Sequence, residues 1–124
     1  MTHYPYRTDL SDEFGIAPHT DTSFLTLLAP NEVHSLSIRT QTGKRIDGPT
    51  IPGAFAVNGG QLLQRWTNDY FLPTPHRTAN RSGVERYALA SVCDAGIDRP
   101  IAATPTRIRP DKAQSTRQLA TRST

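Results

Sequence analysis

A single cysteine, Cys93, leaves the chain without an internal disulfide and without a thiolate metal cluster. No run approaches the ~18 consecutive apolar residues that a membrane span needs. The first ten residues are polar and contain Pro5, which does not make a secretory signal. Hydrophobic residues are 35% of 124, enough for one domain with a modest core and too few for two. Long helices are also scarce in prospect, because ten prolines and eight glycines leave few uninterrupted windows. A soluble, cytoplasmic protein with no membrane partner is expected.

A large excess of charge of either sign is missing from most of the chain. The formal net charge of +3 comes entirely from one end. Residues 1–98 hold eight Lys/Arg against ten Asp/Glu, whereas residues 99–124 hold six against the single acid Asp111. That end is rich in Thr, Arg, Ala, Gln and Ser, and after Ile108 its only large apolar residue is Leu119. It offers too little apolar surface to offset its ordering entropy. The sequence therefore predicts a domain over 1–98 and a basic tail over 99–124, disordered from about residue 109. Contact with nucleic acid is the functional reading of such a tail. A solvated terminus is the plainer one, so nucleic acid is not an expected partner.

Short apolar and β-branched runs are what the chain does have. Residues 22–28 (TSFLTLL), 34–40 (HSLSIRT), 54–58 (AFAVN), 76–80 and 86–93 (RYALASVC) read as strands separated by turn signals. That pattern predicts an all-β sandwich or barrel. Only Gly60-Gln-Leu-Leu-Gln-Arg-Trp66, bounded by Gly59-Gly60 and by Asn68-Asp69, reads as a possible helix, of two turns at most. Phe24, Leu25, Leu27, Leu28, Phe55, Val57, Trp66, Leu89 and Val92 read as core. Phe24 and Phe71 are alternatively candidates for lining a substrate pocket.

The residues that carry chemistry begin with His19-Thr20-Asp21. On an extended chain, residues i and i+2 share a face, so this imidazole and carboxylate sit side by side. Alone the pair is a weak signal, equally suited to a solvated strand. His76, opening another predicted strand, supplies a third ligand. Two histidines and one carboxylate form the facial arrangement of non-haem iron(II) oxygenases, which leaves positions open for a bidentate 2-oxo acid and for dioxygen. The far carboxylate of such a co-substrate needs a fixed cation. Arg86, at the head of the strand 86–93, has the planar fork that pairs with a carboxylate bidentately.

These motifs resemble the isopenicillin-N-synthase-like branch of the iron(II)/2-oxoglutarate oxygenases. Thr2-His3-Tyr4-Pro5 is similar to that family's Asn-Tyr-Tyr-Pro strand. Gly15-Ile-Ala-Pro-His19-Thr-Asp21-Thr-Ser-Phe-Leu-Thr-Leu-Leu28 is similar to its strand around the first two metal ligands. Val57-Asn58-Gly59-Gly60, Trp66-Thr-Asn68 through His76-Arg77, and Glu85-Arg86-Tyr87-Ala88 resemble three further motifs in order, over residues 2–98. The resemblance implies the carboxyl-terminal half of a jelly-roll, or double-stranded β-helix. It also implies a dioxygenase that uses iron(II), 2-oxoglutarate and dioxygen to hydroxylate, desaturate or cyclise a small organic substrate. His19, Asp21 and His76 would be the metal ligands, and Arg86 with Tyr4 would hold the 2-oxoglutarate carboxylate.

Three positions depart from the family pattern. Ala88 stands where the family has a serine whose hydroxyl helps bind the co-substrate, Gln61 replaces an aspartate that looks structural, and Thr2 replaces an asparagine. The family's long amino-terminal region is absent before Tyr4. A start placed too far downstream, a degenerate fragment, and a chain completed by a partner are the competing explanations. The alternative function is accordingly a truncated, non-catalytic jelly-roll that keeps its metal; a zinc hydrolase ranks behind both, since it leaves Arg86 without a purpose. His3 and His34 read as ordinary surface histidines and Cys93 as a small core residue. Ser23 with His19 and Asp21 is too compact along one strand to form a hydrolase triad.

Overall fold

The structure, a computed structural model, describes residues 1–5, 15–96 and 98–115. Every strand has three or four residues, shorter than the runs read from sequence, and the run 86–93 is divided at Leu89 into two strands. Strands β1 (Thr2–Tyr4), β2 (Ile16–His19), β3 (Leu25–Leu28), β4 (Leu36–Arg39), β5 (Arg45–Asp47) and β6 (Ala56–Gly59) precede the helix α1 (Gln61–Trp66). Strands β7 (His76–Thr78), β8 (Arg86–Ala88) and β9 (Ala90–Cys93) follow it. No helix among the described residues is long and apolar enough to cross a membrane.

The strands form two layers. One is the antiparallel sheet β2-β7-β4-β5. The other joins the pair β1-β8 to the sheet β6-β3-β9. Only Leu89 separates β8 from β9, and its carbonyl accepts a hydrogen bond from the Ala29 amide at 2.9 Å, so the second layer is continuous. A cavity of about 280 Å³ lies between the layers, lined by Tyr4, Thr26, Leu28 and Arg86 from one and by His19, Ile38 and His76 from the other. This is the jelly-roll architecture that the sequence predicts.

Alternation of side chains decides what enters the cavity. In β1 and β8, Thr2 faces Ala88 and Tyr4 faces Arg86 across the ladder, and all four line the cavity. His3 and Tyr87 take the opposite face, where their rings stack at 4.6 Å and His3 also meets Glu85. In β3, Thr26 and Leu28 point inward while Leu25 and Leu27 point outward with Val57 and Cys93 beside them.

The core differs from the expected one. Only Tyr4, Ala88, Ile101 and Ala103 are buried apolar residues among those described. Phe55, Val57, Trp66, Leu89 and Val92, read from sequence as core, are instead 46–61% exposed. Val57 sits beside Leu27 on the face of β6 away from Thr26, and Val92 sits at the rim of the cavity. Neither Phe24 nor Phe71 lines the inter-sheet cavity: Phe24 packs edge-on against Trp66 at 5.8 Å, and Phe71 packs against Tyr70 at 4.9 Å.

Residues 109–115 fall within the stretch read from sequence as disordered from about residue 109. This segment is held by polar groups rather than by apolar burial. Asn68, with no exposed surface, donates from Nδ2 to the carbonyls of Arg107 and Ala113 at 3.1 and 3.2 Å. Its Oδ1 accepts from the Ser115 amide at 2.9 Å. The Thr104 amide donates to the Trp66 carbonyl at 2.9 Å, and the Arg107 guanidinium lies 4.0 Å from the centre of the Tyr70 ring. Asn68 and Asp69 have φ of 52° and 61°, a left-handed pair that Asn and Asp adopt more readily than other side chains. Residues 116–124, the rest of the expected disordered stretch, lie outside the described residues.

Candidate metal centre

His19 and His76 reach the same point from neighbouring strands. They are cross-strand partners in the β2–β7 ladder, with ring centroids 4.4 Å apart. Their pairing depends on an irregularity in β2. Ile16 pairs with Thr78 and His19 with His76, so three steps along β2 match two along β7. A regular strand would send Ile16 and His19 to opposite faces; the extra residue brings both to the cavity. Pro18 lies in this bulge. It has no N–H to give to a ladder, and β2 is the edge strand of its sheet, where that lack is tolerated. The sequence reading put His19 and Asp21 together on an extended strand, whereas His19 ends β2 and Asp21 stands in the turn beyond it.

Each histidine is oriented by its own backbone. His19 Nδ1 lies 2.8 Å from the Ala17 carbonyl, and His76 Nδ1 lies 3.0 Å from the Thr74 carbonyl. A carbonyl can only accept, so in the neutral imidazole each Nδ1 carries the proton and each Nε2 offers its lone pair to a cation. Both Nε2 atoms face Asp21 Oδ1, at 3.5 Å for His19 and 3.7 Å for His76. The three ligand atoms lie within 4.8 Å of one another. Such a set of donors could hold a divalent metal ion on one side and leave the other side to the cavity.

Asp21 is fixed through its second oxygen. Oδ2 accepts from Thr26 Oγ1 at 2.7 Å and from Asn58 Nδ2 at 2.8 Å. Thr26 and Asn58 face one another across β3 and β6, so the sheet itself presents this pair of donors. Burial pushes the Asp21 carboxyl upward, but the bonds from Thr26 and Asn58 and the nearby His76 and His19 together hold it below the usual carboxylate range. Neither Thr26 nor Asn58 was singled out from sequence. Their period-two placement relative to Leu28 and Ala56 was the available signal.

The turn that carries Asp21 is pinned by α1. The amide of Gln61 donates to the Asp21 carbonyl at 2.8 Å and that of Leu62 to the Thr22 carbonyl at 3.2 Å, satisfying donors that a helix start leaves open. This approach requires glycine at position 60, where a Cβ would lie 2.0 Å from the Ser23 carbonyl oxygen. Gln61 adds a bond from Nε2 to Thr20 Oγ1 at 3.0 Å, consistent with the structural role expected of that position.

Arg86 and Tyr4 occupy the wall of the same cavity. Arg86 is 3% exposed; its Nε donates to the Val33 carbonyl at 3.2 Å, and its carbon Cζ lies 4.8 Å from the centre of the Tyr4 ring. Burial lowers the guanidinium below its ordinary value, while the charge of Tyr4 and its hydrogen bond to Arg86 work the other way. Its Nη1 is buried without a hydrogen-bond partner. A buried donor left open on a fixed cation is the complement of an incoming carboxylate. Ala88 puts a methyl group on the same wall, and Thr2, directly across from it, contributes a hydroxyl. The five residues selected from sequence thus line one cavity. His3 and His34 lie elsewhere, His3 on the far face of β1 and His34 exposed with its Nδ1 3.4 Å from Thr50 Oγ1.

Comparison with known proteins agrees with this geometry. Residues 1–95 match the model of the 2OG-Fe(II) oxygenase superfamily. A homoarginine-6-hydroxylase of Oryza sativa subsp. japonica is 34% identical over 103 residues, which are 79% of this chain and 31% of that protein. Among solved structures, the dioxygenase for auxin oxidation of rice superposes with a TM-score of 0.87 at 26% identity, covering 96% of this chain and 41% of that one. JOX2 in complex with 2OG, Fe and JA gives 0.88 at 26% identity, covering 96% of this chain and 35% of that one. The chain thus spans well under half the length of each of these relatives.

Proposed function

The chain belongs to the 2OG-Fe(II) oxygenase superfamily, and from that premise we propose that it works as an iron(II)- and 2-oxoglutarate-dependent dioxygenase on a small organic substrate. His19, Asp21 and His76 are the iron ligands in this reading. The observation that carries it is the convergence of two free Nε2 atoms on Asp21 Oδ1, each imidazole locked by a backbone carbonyl and the carboxylate by Thr26 and Asn58. Arg86 neutralises the far carboxylate of 2-oxoglutarate through its open Nη1, with Tyr4 packed against the guanidinium. Together, iron(II), 2-oxoglutarate and dioxygen supply oxidation of an unactivated C–H bond, releasing carbon dioxide and succinate. The chain's part is to orient and to shield. Leu28, Leu36 and Ile38 make an apolar lining that excludes water from the reacting centre. Hydroxylation, desaturation and ring closure all begin from that C–H oxidation, and the position of the substrate selects among them.

One observation favours the second reading, a jelly-roll that keeps metal without turnover: the methyl of Ala88 on the wall where a hydroxyl would strengthen the co-substrate contact. Anaerobic titration with iron(II) and then 2-oxoglutarate separates the two. A weak visible charge-transfer band that needs both additions supports the dioxygenase. Iron binding with no such band overturns it in favour of the metal-keeping jelly-roll.

A further inference from the structure

Strand β5 (Arg45–Asp47) is an outer edge of the sheet β2-β7-β4-β5, and all of its residues are exposed. Its ladder with β4 pairs Ser37 with Asp47, Ile38 with Ile46 and Arg39 with Arg45. At one end of this ladder the Thr40 amide donates to the Lys44 carbonyl at 2.8 Å, and at the other the Gly48 amide donates to the Leu36 carbonyl at 2.8 Å. Hydrogen-bonded pairs alternate along an antiparallel ladder, so Ile38 and Ile46 are the bonded pair between these two. Ile46 therefore directs its amide and carbonyl at β4. Those of Arg45 and Asp47 point away from β4, to an edge that no described strand pairs.

Side chains on this edge sort by face as well. Ile38 lines the inter-sheet cavity, and Ile46, directly opposite it, takes the same side and is 41% exposed. Arg45 and Asp47 take the other face, where Arg39 stands directly opposite Arg45. Like charges so placed destabilise a sheet. No ion pair among the described residues engages Arg39, Arg45 or Asp47. Edge charges of one sign keep strands of other chains away. Here the signs alternate, with a cation and an anion on either side of Ile46. Such a strand is its own complement when a second copy runs antiparallel to it.

We propose that β5 pairs edge to edge with β5 of a second copy of this chain, about a two-fold axis at Ile46. Arg45 then stands opposite Asp47 of the second copy, and Asp47 opposite Arg45 of the second copy, the reciprocity that a two-fold contact requires. The outward amides and carbonyls of these residues bond one another. Asp47 of the second copy offsets the repulsion between Arg39 and Arg45, and the two Ile46 side chains cover each other on the cavity side. The two four-stranded sheets become one. So short an edge buries little surface, which puts the dimer in the weak, concentration-dependent class. The pairing needs neither iron nor 2-oxoglutarate and stands apart from the proposed function.

Sedimentation of the metal-free chain from micromolar to millimolar concentration tests the pairing. A monomer–dimer equilibrium is expected. Hydrogen exchange at the Arg45 and Asp47 amides should slow as the dimer forms, while exchange at Ile46, bonded to β4 in either state, should not follow concentration. Arg45→Asp and Asp47→Arg should each weaken self-association by at least about tenfold, because each sets like charges opposite one another. Mixed in equal amounts, the two variants should associate with each other, since their charges again match. Both substitutions fall at exposed positions and should keep the parent unfolding midpoint. A chain that stays monomeric at millimolar concentration would overturn the proposal. So would a dimer that neither reversal weakens, which would place the contact on another surface, or variants that do not pair when mixed.

Discussion

The two faces of the β6-β3-β9 sheet are built from similar residues and end in different circumstances. On the inner face, Thr26 and Asn58 hold Asp21, and Leu28 closes the cavity floor. On the outer face, Leu25, Leu27 and Val57 share the same strands, and Val57 remains 60% exposed. Period-two alternation sorts residues into these two sets but does not say which set becomes covered. Covering depends on what packs above the sheet. Function has therefore collected on the face where polar groups are mutually satisfied, while the outer face presents apolar surface of the kind that interaction sites expose.

Substitutions on the two faces should separate this difference in order of size. His76→Ala should have the largest effect. Iron(II) affinity should fall by more than the roughly 100-fold that loss of a ligand's hydrogen-bond partner can cost; retained stoichiometric iron in anaerobic titration would remove His76 from the centre. Gly60→Ala comes next. Its Cβ would press on the Ser23 carbonyl, and overpacking of this kind costs about 1–3 kcal/mol. The melt should shift down by several degrees and iron binding should weaken with it, because the displaced turn carries Asp21. Ala88→Ser adds a hydroxyl beside Arg86. It should tighten 2-oxoglutarate about tenfold with iron affinity unchanged; no change would mean that Thr2, across the ladder, already serves that contact.

Two smaller effects lie away from the cavity. The bond with Ser115 is the main cause holding the Asp69 carboxyl below its ordinary value of 3.8; burial opposes it, and Gln64 and Lys112 add to the lowering. The stabilisation of the folded-back segment is therefore fully present above that ordinary value and is lost as pH falls through the lower folded one. Fluorescence of Trp66, the only tryptophan, should report release of the segment in that acid window, and Asp69→Asn should remove the transition. Val57→Thr should change stability least, within about 0.5 kcal/mol, as surface substitutions do. A loss of several kcal/mol in the isolated chain would show that the outer face is covered after all.

Much of the site was legible because its residues carry distinctive chemistry at short range. His19, His76 and Arg86 stand at strand ends and Asp21 in the turn after one, and the His-x-Asp spacing and the motifs around His76 and Arg86 marked them. The strands around Leu36, Ala56 and Arg86 were legible for the same reason. β5 was hidden in what reads as a turn and its exit, since Arg45-Ile46-Asp47 has no apolar alternation to betray it. The bulge in β2 was hidden because its only mark is Pro18. The docking of 109–115 was hidden for a different reason. Composition measures how much apolar surface a segment can bury, and this segment is held by one buried asparagine that spans carbonyls 39 and 45 residues away.

The bulge in β2 gives the metal centre a reading frame. His19 faces the cavity because an odd number of steps from Ile16 is matched by an even number on β7. Removing the one extra residue would leave two regular steps matched to two on β7, so the imidazole would still meet His76 and face the cavity. Removing two would leave a single step and turn the imidazole to the outside with every ligand still in the sequence. Spacing in a four-residue strand thus guards the centre as closely as the identity of the ligands does. A homologue with its His-x-Asp motif intact but two residues fewer between it and the residue at the place of Ile16 should have lost its metal.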